Sequence, residues 1–164
     1  MSDIEALIQD LESKNMVKRT RAALSLGKMK DPRARSPLIN ALSDPKPAVR
    51  SEAAYALGIL QDEGSAIYLV ELLLDEEDRV RKSTAKALGM LKARNALDSL
   101  LEALEDPSDI VRKSVIRALG QIGDVLAIPY IEKTLEDENV FVRKVAKEAL
   151  EELNKNIPQQ QHTP

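Results

Sequence analysis

The sequence contains no cysteine and no tryptophan, and it has one phenylalanine, three tyrosines and one histidine among 164 residues. Without cysteine the chain has no disulfide framework, no zinc–thiolate site and no cysteine nucleophile. The single histidine, His162, lies close to the C-terminal end, so a Ser-His-Asp triad or a multi-histidine metal site on the folded part is excluded. We therefore expect a protein that is not an enzyme and that holds neither a cofactor nor a metal.

Net charge and long apolar runs are also scarce. The formal charge of −3 provides no global attraction for nucleic acid or for an anionic membrane. No uninterrupted apolar run approaches the ~20 residues that span a bilayer. Residues 1–5 lack the basic start and the apolar stretch of a signal peptide. Together these features predict a cytoplasmic protein with no membrane partner.

A repeat of 31 residues is what the sequence does contain. Val80-Arg81 is followed by Leu88-Gly89, and equivalent pairs recur at this offset on both sides. These pairs are Lys18-Arg19 with Leu26-Gly27, Val49-Arg50 with Leu57-Gly58, and Val111-Arg112 with Leu119-Gly120. A fixed period of this length is typical of helical arrays, in which each unit packs against its neighbours and the core forms only by stacking.

Two kinds of helix alternate along the array. Apolar residues at Ile4, Leu7, Ile8 and Leu11 have helical spacing and predict the first kind, the B helices, whose leucine columns recur at the same offset. The second kind, the A helices, is predicted over residues 16–29, 46–60, 77–91, 108–122 and 139–153. With aromatic content of only 2%, the core must consist of Leu, Ile, Val and Ala. The expected fold class is all-α, with about ten helices stacked as hairpins.

The residues at the repeat junctions predict how the helices begin and end. Each B helix is expected to end at an aspartate that serves as the N-cap of the next A helix, followed by Pro45 or Pro107 at the first helical position in two units. A column of glycines near the A-helix ends predicts either a left-handed cap or a close backbone approach. The aspartates are Asp44, Asp75, Asp106 and Asp137, and the glycines are Gly27, Gly58, Gly89 and Gly120.

One domain is predicted over residues 1–155. It consists of a half-repeat cap at 1–14, repeats at 15–44, 45–75, 76–106 and 107–137, and a C-terminal cap helix at 138–155. Lys147 supports the cap, because internal repeats have Ala54, Ala85 or Ile116 at this position and a terminal unit needs a polar outer face. Residues 156–164 have no apolar periodicity and are expected to form a disordered tail.

The unit Asp-Pro-x-x-x-Val-Arg-x-x-x-x-x-Ala-Leu-Gly-x-Ile/Leu, at residues 106–122, resembles the short HEAT-like repeat of the phycobilisome-lyase type. The resemblance covers residues 1–153. It implies a right-handed α-solenoid whose B helices line a concave surface that holds another protein, and it implies a ladder of Asp and Arg along the stack. Deoxyhypusine hydroxylases resemble this fold too, but they carry His-Glu iron ligands, and no His-Glu pair occurs here.

The arginine column has two interpretations. Regularly spaced guanidinium groups can follow a nucleic-acid backbone. Alternatively, each arginine pairs with the aspartate of a repeat, because Arg forms bidentate bonds with carboxylates, and this structural role is the one we favour. The column consists of Arg19, Arg50, Arg81, Arg112 and Arg143.

Exposed positions that differ from repeat to repeat are where a particular partner could be specified. On the B helices Tyr68 and Tyr130 suit interface anchors, and Glu71, Asp98 and Glu102 make the middle of the surface acidic, which suggests a basic or helix-N-terminal contact. The predicted partner-binding residues are Ser36, Asn40, Ile67, Tyr68, Glu71, Asp98, Ser99, Glu102, Tyr130 and Lys133.

Three functions remain open at this point. The first is a non-enzymatic module or scaffold that binds another protein in the groove lined by the B helices. The second, which follows from the resemblance, is a subunit of a bilin lyase. The third is a nucleic-acid clamp that uses the arginine ladder, which the low net charge disfavours.

Overall fold

A computed structural model describes residues 3–155 and 157, and ten α-helices account for most of them. The A helices are α2 (Met16–Met29), α4 (Pro47–Leu60), α6 (Asp78–Met90), α8 (Asp109–Ile122) and α10 (Val140–Lys155). The B helices are α1 (Asp3–Asp10), α3 (Arg35–Ala41), α5 (Ala66–Leu69), α7 (Leu97–Glu102) and α9 (Ile128–Lys133). No strand occurs in these residues. The predicted tail at 156–164 lies outside the described residues, apart from Ile157.

The α-helical part of each B helix is short, and 3-10 turns continue the chain at one or both ends of most of them. The last three are each preceded by a 3-10 turn of three residues. They are also followed by 3-10 turns, which cover Val70–Leu74, Ala103–Glu105 and Thr134–Glu136. A 3-10 turn has three residues per turn rather than 3.6, so it changes which side chain faces the core at the end of a B helix.

The core lies between the stacked A helices and the B helices that cover them. Consecutive A helices pack directly on each other from α2 to α10. The predicted apolar columns are buried: Leu26, Leu57, Leu88 and Leu119 have no exposed surface, whereas Leu150 in the last A helix is only half-buried. The described residues thus confirm the all-α solenoid, and its burial declines at the C-terminal end.

The glycine column allows the A helices to approach closely. A methyl group placed on Gly58 would lie 2.8 Å from the Cα of Ala87, and one on Gly27 would lie 2.8 Å from the Cα of Ala56. Close approach is therefore the correct alternative, and the left-handed cap is wrong for these glycines. The left-handed residues at the A-helix ends are Lys30, Gln61, Lys92 and Gly123, three positions beyond each glycine.

The junction aspartates are not N-caps, contrary to the sequence prediction. The N-caps of α4, α6 and α8 are Lys46, Glu77 and Ser108, two residues later. Each aspartate instead accepts a hydrogen bond from the backbone N–H of that residue, for example 2.8 Å from Lys46 N to Asp44 Oδ1. Pro45 and Pro107 precede the helices, and Pro47 occupies the first position of α4. These carboxylates thus bond the N-cap residue itself and not the N–H groups of the first helical turn.

Among the described residues, no helix combines the length and the apolar character that crossing a bilayer requires.

Candidate binding surface on the B helices

A groove of about 590 Å³ lies between two neighbouring repeats on the B-helix side. Its walls are the 3-10 turn Val70–Leu74 on one side and α7 with the turn Ala103–Glu105 on the other. Arg81, from the first turns of α6, also lines it. We call it the Leu74 groove, because Leu74 is the most exposed large apolar residue on the described surface, with 87% of its area exposed.

The groove is apolar at its base and acidic at its edge. Val70, Leu73 and Ala103 line it together with Leu74. Around them stand four exposed carboxylates that form no salt bridge and no side-chain hydrogen bond within the described residues. These four are Glu71, Glu76, Glu102 and Glu105. An exposed apolar patch of this kind, rimmed by polar residues, is typical of an interaction site.

The other two carboxylates of the groove belong to the arginine ladder. Arg81 Nε lies 2.6 Å from Asp106 Oδ2, and its Nη2 lies 3.0 Å from Oδ1 of the same residue. Its Nη1 donates to the backbone carbonyl of Asp75 at 2.7 Å. Arg81 is therefore the only cation lining the groove, and its guanidinium is already bonded on both sides.

The same arrangement recurs along the stack. Four arginines of the column each make a bidentate pair with the aspartate 25 residues later: Arg19, Arg50, Arg81 and Arg112. The side chains involved are only 6–16% exposed. The structural interpretation of the arginine column is thus correct for these four residues, and few of their N–H groups are left for a phosphate backbone.

The pairing lowers the pKa of three ladder aspartates, Asp44, Asp75 and Asp137, and so holds them in the charged form. Hydrogen bonds from Arg112 lower the pKa of the Asp137 carboxyl below its usual value, although burial acts in the opposite direction. For Asp75 burial alone would raise the pKa, but hydrogen bonds from Arg50 and from the N–H of Glu77 outweigh it, and the pKa is lowered. Deprotonated carboxylates at the junctions therefore contribute to the stability of the stack.

The ladder is open at its last arginine. Arg143 Nη1 donates to the carbonyls of Asp137 and Glu138 at 2.7 and 3.0 Å, as its counterparts do. Within the described residues, however, no carboxylate bonds its Nε or Nη2. Arg143 thus has the backbone contacts of the ladder without its ion pair.

The structure brings three of the ten predicted partner-binding residues to the Leu74 groove: Glu71, Ser99 and Glu102. Tyr130 and Lys133 meet in a second place, where the Lys133 ammonium lies 5.4 Å from the centre of the Tyr130 ring. Asn40 lines a smaller groove of about 240 Å³ between α1 and α3. The others, Ser36, Ile67, Tyr68 and Asp98, are exposed and line none of these grooves.

Sequence reasoning missed the groove's most distinctive residue. Leu74 belongs to the column Glu12, Ser43, Leu74, Glu105 and Glu136, in which it is the single apolar residue. That departure from the column was a readable signal. Glu76 was missed as well, because it lies in the junction, and so was Glu105, which lies in the 3-10 turn after α7.

Both the sequence and the fold are similar to those of known proteins. The family model described as HEAT repeats matches residues 4–89 and 75–151. No curated protein matches the sequence significantly. A solved structure of the complex of CpcE and CpcF of phycocyanin lyase from Nostoc sp. PCC7120 contains a similar chain, with 30% identity and a TM-score of 0.85. The match covers 94% of this chain and 66% of that one, slightly less than two thirds of its length.

Two further structures share the fold at lower identity. The protein YibA of E. coli is 24% identical with a TM-score of 0.73, over 94% of this chain and 59% of that one. A designed armadillo repeat protein, solved in complex with the peptide (KR)4, is 23% identical with a TM-score of 0.69, over 92% and 82%. At these identities the likeness concerns the fold alone, and it agrees with the solenoid described above.

Proposed function

The chain belongs to the HEAT repeat family, and from this premise we propose that it is a non-catalytic scaffold that holds a segment of a partner protein against the surface of its B helices. A solenoid presents one long surface of repeated side chains, and the exposed positions at which its repeats differ can specify a particular partner. The partner is held by the positions that differ, because the repeated positions are occupied by the core and by the arginine ladder.

The observation that carries this proposal is the Leu74 groove. It combines apolar area, in Leu74 and Val70, with charged groups, in Glu71 and Glu102, that have no partner in the described residues. Interfaces are built from an apolar centre and a polar rim. By contrast, the described residues contain no group of three or more His, Cys, Asp or Glu side chains placed to hold a metal ion.

The test is affinity capture with the wild-type chain and a triple variant, Tyr68→Ala/Glu71→Ala/Glu102→Ala, from lysate of the source cells. All three side chains are exposed, so the variant should retain the fold. We expect a protein that the wild type retains and the variant loses, identified by mass spectrometry.

A matched control carries three substitutions on the A helices, Gln121→Ala/Lys144→Ala/Glu148→Ala, all at exposed positions. This control should retain the same protein as the wild type. Equal retention by the triple variant would refute the proposal, and loss by the control alone would place the binding surface on the A helices.

A second candidate function is favoured by the similarity to the phycocyanin lyase complex. In this alternative the chain is one subunit of a two-chain lyase, and its B-helix surface contacts the second subunit or the protein that receives the chromophore. Only part of that relative's length is matched, so its activity comes to this chain solely as a proposal.

Co-expression with a bilin and its acceptor protein distinguishes the two candidates. A covalently attached bilin, detected by absorbance after denaturation, would support the lyase subunit. Unchanged attachment with and without the chain would leave the scaffold as the better account.

A further inference from the structure

Deepening the proposed function, on which this inference rests, we infer that the partner segment is rich in lysine or arginine and carries one apolar side chain, which docks on Leu74. The cationic side chains of the segment then lie against the carboxylates at the edge of the Leu74 groove. The partner is thus recognised by alternating apolar and positive contacts.

The apolar contact follows from the exposure of Leu74. Leu74 is 87% exposed, so its apolar surface lies in water, and a covering apolar group would remove that surface from water, which is favourable. Leu73 beside it is buried, so Leu74 is not needed for the core. Val70 and Ala103 continue the apolar surface into the groove, which at about 590 Å³ has room for a side chain of the partner.

The charge of the partner follows from the balance of charges around the groove. Its lining includes six carboxylates and one cation, Arg81. Asp106 is neutralised by Arg81, and Asp75 is neutralised by Arg50 from the preceding repeat. Of the other four carboxylates, Glu76 interacts electrostatically with Arg50, whereas Glu71, Glu102 and Glu105 form no salt bridge within the described residues. A segment that brings two or more positive charges would be complementary, whereas an acidic segment would be repelled.

The neighbouring repeats lack this combination. The corresponding groove between α1 and α3, two repeats earlier, has about 240 Å³; there Glu12 lies at the position of Leu74, and Asn40 and Ser43 lie at the positions of Glu102 and Glu105. One repeat beyond the Leu74 groove, Lys133 replaces Glu102, and Glu136 replaces Glu105. An exposed leucine and two neighbouring glutamates therefore occur together at one junction only among these. This junction fixes the position along the solenoid at which the partner segment binds.

The experiment uses a fluorescein-labelled peptide, Lys-Arg-Lys-Leu-Arg-Lys-Arg, titrated with the full chain and followed by fluorescence anisotropy. A second peptide has Ser in place of Leu, and a third has Glu in place of every Lys and Arg. We expect the first to bind, the second to bind about fivefold more weakly, and the third not to bind. Added salt should weaken binding of the basic peptides, because the contact is ionic and exposed.

Two variants separate the apolar from the ionic contact. Leu74→Ser adopts the residue found at Ser43 and should weaken the leucine peptide about fivefold while leaving the serine peptide unchanged, since the two groups contact each other. Glu102→Gln/Glu105→Gln should weaken both peptides about tenfold. Glu12→Gln/Glu136→Gln, which changes the net charge equally at other junctions, should alter neither by more than about twofold.

Equal weakening by the two double glutamine variants would indicate attraction by net charge alone and would overturn the inference. Absence of binding by the leucine peptide, or equal loss of both basic peptides with Leu74→Ser, would overturn it as well. These results leave the proposed function standing if the captured protein still depends on Tyr68, Glu71 and Glu102. Failure of both experiments would refute the scaffold itself.

Discussion

The interior of the stack and its C-terminal end contain the same residue columns. At the C-terminal end, however, the residues of these columns are less buried and make fewer bonds to a neighbouring unit. Leu88 is fully buried, whereas its counterpart Leu150 is half-buried. Arg112 pairs with a carboxylate and makes backbone contacts, whereas Arg143 makes the backbone contacts alone. Each interaction in a solenoid depends on the next unit, so a residue has its full energetic effect only where a neighbour follows.

Glycine shows the same contrast on a finer scale. A methyl group on Gly58 would meet the backbone of Ala87 at 2.8 Å, but one on Gly120 would lie 3.3 Å from the Ala149 side chain and 3.6 Å from its Cα. The last A helix, α10, thus stands farther from its neighbour at this level than α6 does. Lys147, exposed at the position of buried Ala54 and Ala85, completes the change from interior to surface.

The largest expected difference concerns the leucine column. Leu88→Ala should lower the free energy of unfolding by about 2–5 kcal/mol, because it leaves a cavity in an enclosed site. Leu150→Ala should cost about 1–2 kcal/mol, since part of that side chain already contacts water. Urea unfolding followed by circular dichroism measures both, and equal losses would mean that burial does not decline at the end.

The ladder gives the next largest difference. Arg112→Ala leaves the Asp137 carboxylate, which is 10% exposed, without its partner and should cost about 3 kcal/mol. Arg143→Ala removes only hydrogen bonds to carbonyls and should cost less than about 1 kcal/mol. Chemical denaturation at neutral pH provides the measurement. A large loss of stability for Arg143→Ala would show that a carboxylate bonds Nε and Nη2 of its guanidinium.

The pH dependence of these variants offers a check on the cause. The pKa of Asp137 is lowered in the folded state, so its contribution is present above the unfolded pKa of about 3.9 and is lost as pH falls through the folded value. Wild-type stability should therefore fall between about pH 5 and the acid limit, and Arg112→Ala should fall less over this range. If the free energy of unfolding fell equally with pH in the two proteins, the ion pair would not be the source of the pH dependence.

The two glycine substitutions should differ in the size of their effect. Gly58→Ala forces a methyl group against the backbone of Ala87 and should destabilise by about 1–3 kcal/mol. At Gly120 the neighbouring group is a side chain at 3.3 Å, so the gain in helix propensity, up to about 1 kcal/mol, should offset most of the crowding. Thermal melts of both variants measure this, and destabilisation of the same size would show that α10 packs as tightly as α6.

The smallest effect is expected for a buried hydroxyl group in one of the A-helix columns. Thr84 is fully buried, and its hydroxyl has no hydrogen-bond partner within the described residues. Thr84→Val should raise the free energy of unfolding by about 1 kcal/mol, since Val115 occupies the same column one repeat later. Val115→Thr is the matched reverse change and should lower it. Denaturant midpoints that do not move in opposite directions would refute this account.

The fold was predictable because the 31-residue period repeats every apolar column, and each column could be assigned to the core independently. The cap position was not. Asp44 looks like an N-cap locally, but its carboxylate is bonded by Arg19 from the preceding unit, 25 residues away. A contact over that distance competes with local capping and leaves no trace in the junction sequence itself.

The candidate site was predictable only in part, for a similar reason. Glu71 and Glu102 could be placed on the surface from helical spacing. Leu74 follows Leu72 and Leu73, and the run of three leucines taken alone does not indicate which one faces solvent; only the polar residues at the same position of the other repeats do. The 3-10 winding of Val70–Leu74 decides that Leu73 is buried and Leu74 exposed, and this winding depends on packing against α7 and α6.

The reach of the ladder has a consequence for how such arrays change in evolution. Each arginine bonds an aspartate 25 residues ahead, so every pair crosses from one unit into the next. A unit duplicated or deleted in frame brings an aspartate for the arginine before it and an arginine for the aspartate after it. Such an event leaves no buried charge in the interior without a partner. The number of repeats can therefore change in evolution without the energetic cost of an unpaired buried charge.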